Sequence, residues 1–312
     1  MISIKKNKSK ILRIVIGAVI LLLILKWVGF NNVFTELQKI NPLFFVLAFL
    51  IVFFIIFLNF ICVKIFLDKI KKIDSKHFFY NYCYSWALGF LAPGKIGDFS
   101  LAYFLRKEFK PGQIVASMIL DKGITIVLLS VFLTFFIFFF SPENLFWNVI
   151  FLVLLWGAII FGFYSVFSLS KNNFLMRFIF KNVTPFFGVF HETLLSLAKN
   201  KSILLCNFVI TFFRIILQGV LIFVLLLGLG EMAAPFIIIL INSSSLIVSY
   251  IPISIGGLGI REGAFILFSQ QFVVNLTTLA AALGYALILN FVAMVIIGLL
   301  YFKKTILSNT KK

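Results

Sequence analysis

Two apolar stretches of this sequence are interrupted by the same order of residues, and both interruptions carry charge. In each, a polar run is followed by Pro, then by Gly four residues later, and then by a carboxylate that opens a new helical pattern. We call residues 93–98 the first break, which ends at Asp98, and residues 252–262 the second break, which ends at Glu262. Lipid cannot satisfy backbone groups freed by Pro and Gly, so a broken membrane helix lines a cavity or is covered by protein. The two breaks therefore predict a substrate site near the membrane midplane.

The charged residues at the breaks are suited to binding an anion. Helix N-termini that begin there would aim N–H groups at a phosphate, and Lys95 and Arg261 add positive charge. Asp98 and Glu262 have two interpretations: each complements the positive end of its own helix dipole, or each serves the substrate. A charge at membrane depth costs about 2.5–3.5 kcal/mol on insertion scales, which favours a partner or a task. Neighbours on a helix point about 100° apart, so we expect Arg261 to meet Asp98 rather than Glu262. The break residues predicted to bind substrate are Pro93, Lys95, Gly97, Asp98, Pro252, Ser254, Gly256, Gly257, Gly259, Arg261 and Glu262.

Three more charged residues lie inside apolar segments that are expected to span the membrane. Asp121 and Lys122 fall about three turns into one helix, and Arg214 falls inside another. Asp121 is short and needs a partner, for which Lys122, Arg214 and a cavity water are the alternatives. We add Asp121, Lys122 and Arg214 to the predicted substrate site.

The composition indicates a membrane protein. Of the 312 residues, 62% are hydrophobic and 12% are charged, and several apolar runs reach the ~20 residues that cross about 30 Å of hydrocarbon. The net charge of +18 does not indicate nucleic acid, because the Lys and Arg residues lie mostly at the ends and between apolar runs, as in the positive-inside pattern. The Cys and His residues show no metal-ligand spacing, so we expect neither a metal nor another cofactor.

The apolar pattern predicts an all-α polytopic integral membrane protein with six full transmembrane helices and two broken segments. The helices are expected at 11–28, 43–66, 112–140, 145–168, 203–229 and 276–302, and the broken segments at 77–109 and 235–273. Basic residues among apolar ones in 169–202 predict an amphipathic segment lying on the membrane. We expect one membrane domain, 1–312, built from pseudo-repeats of about 1–140 and 141–312 in a prokaryotic cell membrane, with both termini cytoplasmic.

The broken segments admit two topologies that charge counting does not separate. As re-entrant hairpins, the first enters from the cytoplasm and the second from outside, as an inverted-topology repeat would arrange them. As paired full crossings, they leave every loop on the same side. We favour re-entrant hairpins and leave both alternatives open.

The second break resembles a motif of a known family. It has the form Pro-x-Ser-x-Gly-Gly-Leu-Gly-x-Arg-Glu-Gly in the flippase-like membrane domain of bacterial lysylphosphatidylglycerol synthetase/flippase proteins and their stand-alone relatives, and 252–263 matches every position. The first break resembles the family's Pro-x-x-x-Gly-Glu, with Asp98 in place of Glu, and the Arg that follows in the family is replaced near Leu101. Asp121-Lys122 stands where the family has an acid–Arg pair. The similarity in layout covers nearly the whole chain.

The resemblance implies that a phospholipid or lipid-linked headgroup moves between the leaflets through a cavity between the two broken helices, as in a flippase or scramblase. The cytoplasmic synthetase domain of the fused proteins is absent from this sequence, so we expect no aminoacylation of lipids and no other enzymatic activity. The alternatives are a transporter of small solutes or ions, and a membrane accessory protein or enzyme of lipid or lipid-linked glycan modification. The expected partner is the lipid itself, without nucleic acid; a homo-oligomer, the transport direction and the energy source stay open.

Overall fold

The computed structural model describes residues 17, 19–90, 96–140, 144–169, 184–250, 254, 257–270, 272 and 275–309. Within these ranges the chain forms helices and no strand, which confirms the all-α prediction. The helices are α1 (Val19–Val28), α2 (Phe30–Leu37), α3 (Pro42–Ile70), α4 (Ser75–Phe90), α5 (Leu101–Phe104), α6 (Pro111–Phe140), α7 (Leu145–Leu169), α8 (Thr184–Ala198), α9 (Lys201–Gly228), α10 (Pro235–Val248), α11 (Ile260–Ser269) and α12 (Leu276–Asn309), with a 3₁₀ turn at Ile96–Ser100 before α5.

Five of the described helices are long and apolar enough to cross a membrane, namely α3, α6, α7, α9 and α12. The shortest of these apolar stretches has 24 residues, or about 36 Å of helix, which exceeds the ~30 Å of hydrocarbon in a bilayer. The pair α1 and α2 counts as a sixth span if its 86° bend is included in one span. The bend occurs at Gly29, whose φ of 100° is readily available to glycine. The prediction of a polytopic membrane protein is confirmed.

Proline marks the start of three of these helices. Pro42, Pro111 and Pro235 are the first residues of α3, α6 and α10, where the fixed φ suits a helix and the missing N–H would have no partner anyway. Asn41 adds a cap to α3, because its side-chain oxygen accepts a hydrogen bond from the Leu43 N–H at 2.9 Å. Local sequence therefore fixes where these helices begin.

The two broken segments consist of helices too short to cross the hydrocarbon alone. α4, α10 and α11 have 16, 14 and 10 residues, or about 24, 21 and 15 Å of helix. The second break separates α10 from α11, as predicted. After the first break, however, only the 3₁₀ turn and the four-residue α5 follow. The helical stretch after the first break, 96–104, is thus a 3₁₀ turn followed by one short α-helix. Charged residues follow α5 and lead to Pro111. Because the helical conformation is disfavoured for the residue before a proline, α5 does not continue into α6.

The chain forms two compact units, which are described separately. The first unit comprises Met1–Phe57, Cys83–Asp98 and Ile215–Lys312, and the second comprises Leu58–Tyr82 and Phe99–Arg214. Both breaks belong to the first unit, whereas Asp121, Lys122 and Arg214 belong to the second. The units interleave along the sequence, and a pseudo-repeat of residues 1–140 and 141–312 stays a prediction.

Helices of the first unit approach closely where glycine allows it. A Cβ on Gly219 of α9 would lie 2.6 Å from the Cα of Ile239 in α10, so the two backbones pack without a side chain between them. The Asn41 N–H donates to the Gly228 carbonyl at 2.8 Å, which joins the start of α3 to the end of α9. The Tyr285 hydroxyl of α12 donates to the Leu37 carbonyl at the end of α2.

The core of the second unit lies where α8 crosses α6 and α3. Phe190, Leu194 and Leu197, at the i, i+4, i+7 spacing of one helix face, pack against Phe66, Ala116 and Leu120. Gly112 permits this contact, since a Cβ there would lie 2.8 Å from the Phe186 carbonyl. The apolar face of α8 is therefore covered by protein, and the prediction that 169–202 lies on the membrane stays a prediction. Residues 170–183 lie outside the described residues.

Candidate functional site

The turn that leads from the second break into α11 requires glycine at two positions. Gly257 and Gly259 have φ values of 79° and 80°, in the left-handed region that L side chains rarely adopt. A Cβ on Gly257 would lie 2.6 Å from the Cβ of Ser249, and one on Gly259 would lie 2.8 Å from the carbonyl oxygen of Gly17. The predicted glycines therefore let this turn pack tightly against the end of α10 and against Gly17, which precedes α1.

Glu262 caps the helix that it opens. Its Oε2 atom accepts a hydrogen bond from the Gly259 N–H at 2.8 Å, and the side chain is buried. This bond satisfies an N–H that the helix itself leaves without a partner, and the negative charge lies at the positive end of the α11 dipole. These contacts support the first interpretation of Glu262, in which it complements the dipole of its own helix. A direct role toward substrate stays a prediction.

Arg261 contacts an amide instead of a carboxylate. Its Nη2 donates to the Asn242 Oδ1 at 3.0 Å, and Asn242, in α10, is completely buried. Asn242, not Asp98, is thus the hydrogen-bond partner that the structure gives Arg261. No ion pair of Arg261 within 4.0 Å is found among the described residues. Asn242 was not predicted as a site residue, although it begins the polar run before Pro252 and could have been found there.

The Arg261–Asn242 pair leaves two hydrogen-bond donors unused. Arg261 Nε and Asn242 Nδ2 are both buried without a partner in the described parts of the chain. Both atoms only donate, and a buried donor without an acceptor costs about 1–3 kcal/mol. Two donors and one positive charge fit an anion whose oxygens accept hydrogen bonds. We call Arg261 and Asn242 the donor pair.

Two serines of the first unit also have buried hydroxyls without a partner among the described residues, Ser244 and Ser254. Ser244 is two positions from Asn242 on α10, so the two side chains do not face each other. Ser254 lies in the second break, where its Cβ is 3.4 Å from the place that a Cβ on Gly17 would take. The predicted residues Pro252 and Gly256 lie outside the described residues.

The described part of the first break packs against α4. Asp98 lies in the 3₁₀ turn, beside Gly97, and its backbone carbonyl accepts a hydrogen bond from the Ser85 hydroxyl. The Asp98 carboxylate fills the space that a Cβ on Gly89 would take, so this approach requires glycine at that position. Pro93 and Lys95, predicted to line the same break, lie outside the described residues.

Asp121 and Arg214 form a buried ion pair in the second unit. Arg214 Nη1 lies 3.6 Å from Asp121 Oδ1, and the two side chains are 4% and 2% exposed. Arg214 is therefore a partner of Asp121, as one of the predicted alternatives stated. A second is Asn207, whose Nδ2 donates to the same carboxylate oxygen at 3.3 Å. The pair lies in an apolar interior where an uncompensated charge is costly.

Other polar side chains complete a network around this pair. Arg214 donates to the Thr125 hydroxyl at 2.7 Å and to the Asn59 Oδ1 at 2.9 Å, and the network joins α3, α6 and α9. We call Asp121, Arg214, Asn207, Thr125 and Asn59 the Asp121 network. Sequence reasoning missed Asn207, although Asn207 and Arg214 are seven residues apart and so share one face of an apolar helix. A role of this network toward substrate stays a prediction.

Lys122 has a different position from its neighbour. It lines a groove of about 410 Å³ between α6, α7 and α8, together with apolar side chains. The structure thus brings Asp121 and Arg214 together in one pair, and Lys122 contributes to the lining of the groove. In the described residues, no group of three or more His, Cys, Asp and Glu side chains could hold a metal ion.

These features define the class of the protein. Apolar helices of spanning length, a helix interrupted at glycine-rich residues and buried charged groups are those of a multi-pass α-helical membrane protein. Residues 10–298 match the family described as "Lysylphosphatidylglycerol synthase TM region", and the chain belongs to this family. No curated protein matches the chain significantly. The resemblance stated from the second-break motif is confirmed.

Proposed function

We propose that this protein moves a phospholipid or a lipid-linked headgroup between the leaflets of a cell membrane, as a flippase or scramblase does. The family is named for the membrane region of a synthase of lysylphosphatidylglycerol, which is a phospholipid. That name supports a lipid-related function, and translocation is our extension of it. The observation that carries the proposal is the donor pair at the second break.

The donor pair fits the phosphate that phospholipid headgroups share. Arg261 supplies a positive charge without a carboxylate within 4.0 Å among the described residues, and Arg261 Nε and Asn242 Nδ2 supply donors without acceptors there. A phosphodiester offers negative charge and acceptor oxygens together, so its binding would offset the cost of both buried donors. In this proposal the headgroup enters sideways and binds between the two breaks while the acyl chains stay in the bilayer.

The short helices of the broken segments support a cavity within the membrane. Because α10 and α11 are each shorter than the hydrocarbon thickness, we propose that the broken segments are re-entrant and related as an inverted repeat. Rocking of one repeat against the other would then alternate access to the headgroup. We further propose that both termini are cytoplasmic, since Lys residues are concentrated near both ends.

A translocation assay with matched variants tests this proposal. Purified protein is reconstituted in liposomes with a trace of headgroup-labelled phosphatidylglycerol, and a membrane-impermeant quencher reports how fast inner-leaflet label becomes accessible. We expect Asn242→Ala to abolish the acceleration, because it removes the acceptor that orients Arg261. Asn290→Ala is the matched control: among the described residues that amide donates to the Ala286 carbonyl of its own helix, at 2.7 Å, and translocation should persist.

The alternative functions would give different results in the same liposome preparation. Uptake of a soluble solute without any movement of lipid label would favour a solute transporter. A donor-dependent change in lipid mass would favour an enzyme. Folded wild-type protein that accelerates neither lipid nor solute movement, with or without a proton gradient, would contradict translocation.

A further inference from the structure

The second unit contains an apolar groove that the proposed translocation site does not use. It lies between α6, α7 and α8, has a volume of about 410 Å³, and includes Ile119, Ile126, Ala158, Gly162, Phe167 and Leu194 in its lining. This volume is in the range of ligand pockets, which are mostly apolar with a few placed polar groups. Of the residues that line it in the described ranges, Lys122 alone is charged. We call this the α6–α7 groove.

The length of α6 indicates the membrane depth of Lys122. α6 has 30 residues, or about 45 Å, so a centred helix extends ~7 Å beyond each side of a ~30 Å hydrocarbon core. Lys122 is its twelfth residue, and its Cα therefore lies ~9 Å inside the boundary. A helical side chain points toward the N-terminus of its helix, and a long Lys side chain extends its charge toward the interface. The ammonium group then lies near the hydrocarbon boundary, and the groove residues of α6 lie on both sides of Lys122, from Ile119 to Ile126.

We propose that the α6–α7 groove binds one acyl chain of a phospholipid whose phosphate contacts Lys122. An apolar groove exposed at membrane depth favours a hydrocarbon chain over water, and the single cation near the interface is complementary to a phosphate. The occupant is a bound lipid at a site apart from the second break, which belongs to the other unit. This inference does not rest on translocation, because the groove could hold a lipid in a protein of any function.

Two glycines of α7 provide a matched pair for the test. Gly162 lines the groove and Gly157 does not, and a Cβ on either would meet no atom within 4 Å. The described structure therefore leaves open space at the Cβ of both positions. Only Gly162→Phe places a ring in the α6–α7 groove. Ala158→Phe, at a second lining residue, is an independent groove-filling variant.

The experiment uses the full chain in liposomes with a phosphatidylglycerol whose acyl chain carries a photoreactive diazirine, and in parallel with a diacylglycerol of the same chain. After irradiation, labelled peptides are mapped by mass spectrometry. We expect phosphatidylglycerol to label residues 119–126 and 155–167, Gly162→Phe and Ala158→Phe to remove this label, and Gly157→Phe to retain it. Lys122→Gln should weaken labelling by phosphatidylglycerol about fivefold, the typical contribution of one Lys near an anionic surface, without changing labelling by diacylglycerol.

Three results would overturn the inference. Label in the α6–α7 groove that persists in both filled variants would show that the chain binds elsewhere. Equal labelling by the two lipids, unchanged in Lys122→Gln, would show that Lys122 does not bind phosphate. Crosslinks between two copies of the chain at 119–126 and 155–167, without lipid label, would identify a second copy as the occupant.

Discussion

The Asp121–Arg214 pair leads to a quantitative prediction about stability. Asp121→Asn keeps the shape of the side chain but leaves the buried Arg214 guanidinium without the carboxylate 3.6 Å away. Removing one partner of a buried ion pair costs about 3–5 kcal/mol, whereas replacing both with apolar side chains is often neutral. Arg214 keeps its bonds to Thr125 and Asn59, so we expect the lower end, about 3 kcal/mol, for Asp121→Asn. Arg214→Met should cost a similar amount.

A double-mutant cycle measures the coupling in this pair. The free energy of unfolding of wild type, Asp121→Leu, Arg214→Met and the double variant would be compared in mixed micelles. We expect the double variant to recover at least ~2 kcal/mol of the summed single losses, since neither charge is then left unpaired. Losses that add to within about 0.5 kcal/mol, as for independent sites, would refute the reasoning that the pair is held by charge compensation.

Three further predictions concern helix ends and turns. Gly259→Ala should lower the melting temperature more than Gly230→Ala. Both glycines have positive φ, so alanine at either position costs about 1–2 kcal/mol of strain. Of the two, only a Cβ on Gly259 would also meet a backbone atom, the Gly17 carbonyl oxygen at 2.8 Å. Equal shifts would show that packing at this turn is loose. Asn41→Ala should cost about 1 kcal/mol of unfolding free energy by removing the α3 cap, and an unchanged denaturation midpoint would contradict that cap. Glu262→Gln keeps an acceptor for the α11 N-terminus, so thermal unfolding should change by at most ~1 kcal/mol, and a larger loss would show that the charge itself is required.

The spanning helices could be predicted closely from the sequence because long apolar runs bounded by proline and charge leave little choice. The prediction of 112–140 compares with α6 at Pro111–Phe140, and 145–168 with α7 at Leu145–Leu169. The helical end of the second break was also predictable, since the glycine-rich motif and Glu262 are local signals of a turn and a capped helix. These helix bounds and this turn depend on residues next to each other in the chain, so the sequence alone is enough to predict them.

Features that depend on tertiary contacts were harder to predict from the sequence. The partner of Arg261 is 19 residues away in sequence, and the choice of Asn242 over Asp98 depends on how α10 and α11 pack. An apolar face on α8 is expected whether the helix packs against lipid or against α6, so the sequence alone could not show which of the two it contacts. Asn207 was recognisable only by its helical spacing from Arg214, a signal that becomes persuasive once Arg214 is known to face a carboxylate.

Translocation by Arg261 variants is the measurement that would decide the claim that the second break carries an anionic headgroup across the membrane. The rate at which an impermeant quencher reaches inner-leaflet label would be measured for wild type, Arg261→Lys and Arg261→Ala, with headgroup-labelled phosphatidylglycerol. We predict rapid exposure for wild type, slower exposure for Arg261→Lys, which keeps the charge but loses the donor geometry of the guanidinium, and the rate of protein-free liposomes for Arg261→Ala. Wild-type exposure rates in folded Arg261→Ala would contradict the claim.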